Sequence, residues 1–121
     1  MAKEKIIVKR GDVYLVNFDP TMGAEIKKTR PALILQNDIA NTYSPVTIVA
    51  AITSKFDTPI YPTEVLLEKE KTFLKNDSVV LLNQIRSIDK KRLVRRLGSA
   101  GEETMDGVNR ALEVSLDIGK I

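Results

Sequence analysis

Val46-Thr47-Ile48-Val49-Ala50-Ala51-Ile52-Thr53 follows Ser44-Pro45 and runs into Ser54-Lys55. It is the most apolar stretch of the chain and is rich in β-branched residues, which fit a pleated surface, so it predicts a strand. Shorter runs of the same kind lie on both sides. Upstream, Val13–Phe18 sits between Arg10-Gly11-Asp12 and Asp19-Pro20, and Pro31–Leu35 is stopped by Gln36-Asn37-Asp38. Downstream come Glu64–Leu67 and Ser78–Ile88. Lengths of this order bounded by Gly, Pro, Asn and Asp read as strands. Pro31 and Pro45 stand at strand starts, where a missing N–H does least harm. The runs follow one another too closely for βαβ crossovers, which need about 30 residues each. A compact antiparallel barrel or a strongly bent sheet is expected.

The chain changes period towards its end. Met105, Val108, Leu112, Ser115 and Leu116 form a helical stripe, with Glu102 and Glu103 in its first turn and Gly119 after its last periodic residue. This stripe predicts a C-terminal helix packed on the sheet, with Met105, Val108, Leu112 and Leu116 as core. Gly107 inside it costs about 1 kcal/mol relative to Ala. Asp89–Arg92 reads as one helical turn and Leu93–Leu97 as a further strand.

With 121 residues, 43% hydrophobic and 29% charged, the chain is expected to form a single domain over 1–121, residues 1–7 being a loose extension. There is no cysteine and no histidine. Disulfides, thiolate metal sites, Cys nucleophiles and every Ser-His or Cys-His arrangement are thereby excluded. The net charge is +3, and residues 1–30 hold seven basic against four acidic residues, the whole excess. Such a local surplus suits an anionic partner or a solvated, Lys-rich terminus. No stretch reaches the ~18–20 apolar residues of a membrane helix. Met1–Lys5 has no signal-peptide character, so a cytoplasmic location and no membrane partner are expected. Two long connections, Asp19–Thr29 and Ser54–Pro62, are where binding is expected on a small rigid scaffold.

The order Arg10-Gly11-Asp12-Val13-Tyr14, Phe18-Asp19-Pro20, Gly23-Ala24-Glu25 and Thr29-Arg30-Pro31-Ala32-Leu33-Ile34 carries a resemblance. It continues through Gln36-Asn37-Asp38, Ser44-Pro45, Ala51-Ile52-Thr53, Asp77-Ser78-Val79 and Gln84-Ile85-Arg86-Ser87-Ile88. From about Val8 to Leu116 the chain resembles the MazF/PemK family of bacterial toxin endoribonucleases. The resemblance implies a mainly β fold, a small SH3-like barrel with a C-terminal helix. It also implies a homodimer that cuts single-stranded RNA at a short sequence without metal or cofactor. A cognate antitoxin would neutralise it by covering the RNA groove, and the toxin–antitoxin complex would bind DNA. Where many relatives carry a Gly-Ser-Glu-Gln stretch rich in glycine, this chain has Gly23-Ala24-Glu25-Ile26-Lys27-Lys28-Thr29, which bears on sequence preference.

Without histidine or metal, RNA is cleaved by its own 2′-OH, which attacks phosphorus and expels the 5′-oxygen. A proton must leave O2′, another must reach O5′, and charge on the phosphorane must be stabilised. Arg30 is expected to do the last, because a guanidinium forks onto two phosphate oxygens and stays charged. Thr53, at a strand end, is expected to donate to a phosphoryl oxygen or orient the 2′-OH. Glu25 either deprotonates O2′ or holds Arg30. Lys27, Lys28 and Lys55 are expected on phosphates. Phe56 and Tyr61 either stack bases or pack under their own loop. Gln84 and Arg86, read as closing the last long strand, face RNA or a partner subunit. Two other classes remain open at this stage: a toxin of the same fold that poisons DNA gyrase, and a non-catalytic RNA-binding barrel.

Overall fold

A computed structural model describes residues 7–18 and 29–119. Six strands appear in chain order: β1 (Asp12–Asn17), β2 (Thr29–Ile34), β3 (Val46–Thr53), β4 (Glu64–Leu67), β5 (Ser78–Asp89) and β6 (Leu93–Ser99). Helix α1 (Asp38–Tyr43) lies between β2 and β3, and α2 (Glu102–Leu116) follows β6. Short 3₁₀ turns occupy Lys69–Lys71 and Lys90–Arg92. The strands form one sheet in the order β4-β5-β3-β2-β1-β6, and every pair is antiparallel. The sheet curls into a half-barrel, the bent form of the expected barrel.

The curl has a visible cause in the ladder between β3 and β5. Ala50 pairs with Ile85, but Ile52, two residues on, pairs with Val80. The surplus of β5 bulges out, and a bulge bends its strand and adds twist. The first part of β5 turns to β4, with Leu81 opposite Glu64 and the Leu82 N–H donating to the Thr63 carbonyl at 2.9 Å. Two register shifts between β1 and β6 bend the far side.

Because the sheet curls, it buries residues on both faces. Val13, Leu33, Ala50, Ile52, Val80 and Leu82 form one core, which α2 closes with Val108 and Ala111. Tyr14, Val16, Ala32, Ile34, Val49, Ile88 and Leu93 form the second, on the opposite face. Strands buried on both sides read as continuous apolar runs.

Helix α1 fills the connection between β2 and β3, where no helix was expected. Asn37 caps it, its Oδ1 accepting from the Ala40 N–H at 2.8 Å, and the Ser44 N–H returns to the Ala40 carbonyl. Six residues are too few to show a period, and Asn41 is the one it buries. Asn41 Oδ1 accepts from Gln36 Nε2 at 3.0 Å and from Thr47 Oγ1 at 2.8 Å, while its Nδ2 donates to the Gln36 carbonyl at 2.8 Å. Thr47 is therefore fully buried while its apolar neighbour Ile48 is 37% exposed.

Four other expectations need correction. Leu116 is 53% exposed, because the buried face of α2 runs through Val108 and Ala111, with Met105 and Leu112 packed at its margin. The left-handed residue that ends α2 is Asp117 (φ 53°), two positions before Gly119. Pro31 is the third residue of β2, tolerated because pairing with β3 begins only at Ala32. Gln84 and Arg86 lie within β5, which runs on to Asp89. The loose extension falls mostly on residues outside those described, and its last member, Ile7, is exposed. Among the described residues no helix is long and apolar enough to cross a membrane.

Gly107 meets only ordinary contact. A Cβ there would lie 3.7 Å from Val65 Cγ1. Gly107→Ala should therefore stabilise the fold by about 0.5–1 kcal/mol through helix propensity. Urea denaturation should show a higher midpoint with an unchanged slope.

Candidate active site

β2 and β3 pair from Ala32↔Ala51 to Ile34↔Val49 and no further towards the end that carries Arg30. Continued by two residues, the same register sets Arg30 against Thr53, just past the last rung. A groove of about 550 Å³ opens there, and Arg30, Pro31, Ile52, Thr53 and Lys55 line it. On the other side of β2, Leu15 pairs with both Pro31 and Arg95, so β1 carries Arg95 of β6 to the same groove. The connection between β4 and β5 supplies Phe73, Leu74, Lys75 and Asn76.

Its charge is one-sided. Arg30, Lys55, Lys75 and Arg95 line the groove with no carboxylate among its described lining residues. None of the four makes an ion pair among the described residues, whereas Arg96, the neighbour of Arg95, pairs with Asp12 at 3.3 Å. Thr53 is half-buried, and its Oγ1 accepts from the Lys55 N–H at 3.1 Å. That bond fixes the oxygen and leaves the hydroxyl proton to donate outward. A forked cation, a fixed hydroxyl and three further cations suit the oxygens of a phosphodiester chain.

The sequence-predicted residues divide. Arg30, Thr53 and Lys55 come together in the groove. Phe56 is half-buried and does not line it. Tyr61 and Gln84 share a separate cavity of about 440 Å³ with Asn83 and Val114. The Arg86 guanidinium stacks over Phe18, 5.2 Å from the ring centroid. Glu25, Lys27 and Lys28 lie outside the described residues. Away from the groove, Tyr14 has its pKa raised above 10.0 chiefly by burial and next by the Asp12 charge, against the opposing effect of Arg96.

Sequence reading missed Lys75, Asn76, Phe73 and Arg95. Arg95 reaches the groove only because β6 pairs with β1, nearly eighty residues upstream. No local pattern carries that pairing. The connection with Phe73 and Lys75 lies outside the first thirty residues, which carry the whole charge excess.

Residues 9–116 match the family described as PemK-like, MazF-like toxin of type II toxin-antitoxin system. The chain belongs to this family. It is 46% identical over 111 residues to Endoribonuclease EndoA of Bacillus subtilis (strain 168), covering 92% of this chain and 96% of that one. A solved endoribonuclease from Mycobacterial species matches with a TM-score of 0.79 at 23% identity, over 98% of this chain and 100% of that one. A MazE-MazF complex from Deinococcus radiodurans matches with a TM-score of 0.75 at 25% identity, over 95% and 100% of the respective chains. The half-barrel with its terminal helix is thus the MazF fold.

If Lys75 and Arg95 meet phosphates, the Lys75→Gln/Arg95→Gln pair should flatten the salt dependence of single-stranded RNA binding. The slope of log affinity against log salt should fall by roughly 0.7 per lost contact. Fluorescence anisotropy at several salt concentrations measures it.

Proposed function

We infer that this chain is an endoribonuclease toxin and that it cuts single-stranded RNA in the cationic groove. The observation that carries the reading is the meeting of Arg30 and Thr53 past the last rung of β2 and β3, among cations that no described carboxylate neutralises.

The scissile phosphate sits between Arg30 and Thr53. The RNA 2′-oxygen attacks phosphorus in line, the bond to O5′ breaks, and a 2′,3′-cyclic phosphate and a 5′-hydroxyl result. Arg30 forks onto the non-bridging oxygens and holds the charge that grows there. Thr53 donates its free proton to the same oxygens or orients the 2′-OH. Lys55, Lys75 and Arg95 hold neighbouring phosphates. Glu25, Lys27 and Lys28 belong to the segment between Asn17 and Thr29, which pair with each other at the feet of β1 and β2. Glu25 is assigned to O2′ or to Arg30, and the two lysines to phosphates.

The partner of the toxin is an antitoxin whose acidic segment the groove would accept. A solved endoribonuclease from Mycobacterial species in complex with its cognate antitoxin supports a partner of that class, and the cationic lining of the groove supports the acidic segment. A homodimer is supported by Ile39 and Tyr43, which stand four residues apart on α1 and are 77% and 82% exposed. The work place of such a toxin is the cytoplasm.

Fragments made in EDTA should carry 5′-hydroxyl and 2′,3′-cyclic or 3′-phosphate ends by end-group analysis; 5′-phosphate ends would overturn the mechanism. Arg30→Ala and Thr53→Ala should each lower kcat by about 10² or more without lowering the melting temperature, as loss of a transition-state contact does. Arg30→Lys should fail nearly as badly, because a point charge lacks the fork. Activity within threefold of the parent would remove that residue from the site.

A further inference from the structure

The two aromatic residues that sequence reading assigned to base stacking, Phe56 and Tyr61, do not line the groove that holds Arg30 and Thr53. Phe73 does, and it is the one aromatic among the described lining residues. It is also 40% exposed, so a large apolar ring stands partly open to solvent beside four cations. A ring in that position gains little from the core. It is placed to meet an occupant.

The support beneath Phe73 is specific. A Cβ at Gly98 of β6 would fall 2.3 Å from Phe73 Cδ1 and 2.5 Å from Cε1. The ring therefore occupies the space that any other residue at 98 would fill, and the bare backbone of β6 serves as its seat. The connection that carries it is laced by its own bonds. The Lys69 N–H donates to Asp77 Oδ1 at 2.8 Å, and the Leu74 N–H to Thr72 Oγ1 at 3.3 Å. On its far side the ring borders a smaller cavity of about 280 Å³ whose charges balance, Glu68 and Glu103 against Lys71 and Arg110. The one-sided positive charge, which draws a polyanion, lies on the side of Arg30, Lys75 and Arg95.

We propose that Phe73, seated on Gly98, is a base-stacking platform that holds one unpaired base next to the scissile phosphate. The proposal rests on the reading of the groove as an RNA site. Stacking requires only a π-face, so this contact fixes position along the strand and not base identity. A ring held in place before binding loses little freedom when the base arrives.

The test uses an RNA oligonucleotide spanning a cleavage site mapped with the parent protein. A 2′-deoxy nucleotide at the attacking position prevents cutting, and an abasic nucleotide is moved through the flanking positions. With the parent protein, one abasic position should weaken binding by roughly 5- to 150-fold, the range for loss of one base–aromatic stack. Phe73→Ala should bind the intact oligonucleotide as weakly as the parent binds that abasic one, and should be insensitive to the base there. Phe73→Tyr should keep both affinity and sensitivity, while Phe73→Leu should lose both. These two decide the matter if Phe73→Ala does not fold. The chain has no tryptophan, so Phe73→Trp gives a single tryptophan, excited apart from the three tyrosines at long wavelength, whose emission should be quenched by the intact oligonucleotide and not by the abasic one. Gly98→Ala should weaken RNA binding when Phe73 is present and have no such effect beside Phe73→Ala.

Unchanged affinity in Phe73→Ala would overturn the proposal while leaving the RNA site standing. So would an equal loss for intact and abasic RNA at every position, which marks a ring that only props its loop. A parent protein that neither binds nor cuts any RNA would overturn the reading of the groove itself, and the platform with it.

Discussion

The mismatch between β3 and β5 shapes everything else in the molecule. Two residue steps of β3, from Ala50 to Ile52, span five steps of β5, from Ile85 to Val80. A regular ladder would leave the sheet flat and half its apolar side chains in water. The bulge instead turns Leu82 into the core that α2 seals with Val108, and brings β4 alongside the start of β5. The same curl decides where β2 and β3 part. Their ladder stops at Ala32↔Ala51, and the groove opens where Arg30 and Thr53 pass beyond it.

The chemistry of that groove depends on what the sheet brings near and on what it keeps away. Strands in a sheet lie about 4.8 Å apart, so Pro31, Leu15 and Arg95 in one row across β2, β1 and β6 set a cation two strands from the site. Three of the described carboxylates are engaged elsewhere. Asp12 is buried under Arg96, Asp77 closes its own connection, and Asp38 Oδ1 accepts from the Arg10 N–H at 2.7 Å. Positions on strands hold functional groups more firmly than loop tips do. Arg30 and Thr53 both profit from that.

Much of the scaffold was legible because it rests on local signals. The β-branched run of Val46–Thr53 and the short run Glu64–Leu67 coincide with β3 and β4. Glutamates in its first turn and an apolar stripe marked α2. Legibility failed where a residue takes its meaning from a distant partner. Thr47 is buried only because Asn41 waits for its hydroxyl, and Ala111 is core where Leu116, more hydrophobic, is not. The site divides along the same line. Arg30 and Thr53 stood out through the family pattern around them. Lys75, Arg95 and Phe73 became visible only with the strand order, and Gly98 only with the ring that lies on it.

A groove that gathers four cations, none of them ion-paired among the described residues, also sets a limit on the fold. Like charges facing one another without counter-charges raise the energy of the compact state. Neutralising one of them should strengthen the empty protein even as it weakens the toxin, the common conflict between a functional site and the stability of its carrier. An anionic occupant removes that conflict for as long as it stays. By mass action it adds RT ln(1 + [L]/Kd) to the free energy of unfolding, about 2.7 kcal/mol at a hundredfold excess over Kd. Whatever silences this groove with negative charge therefore also preserves the molecule it silences, and a toxin held in reserve would outlast one left empty.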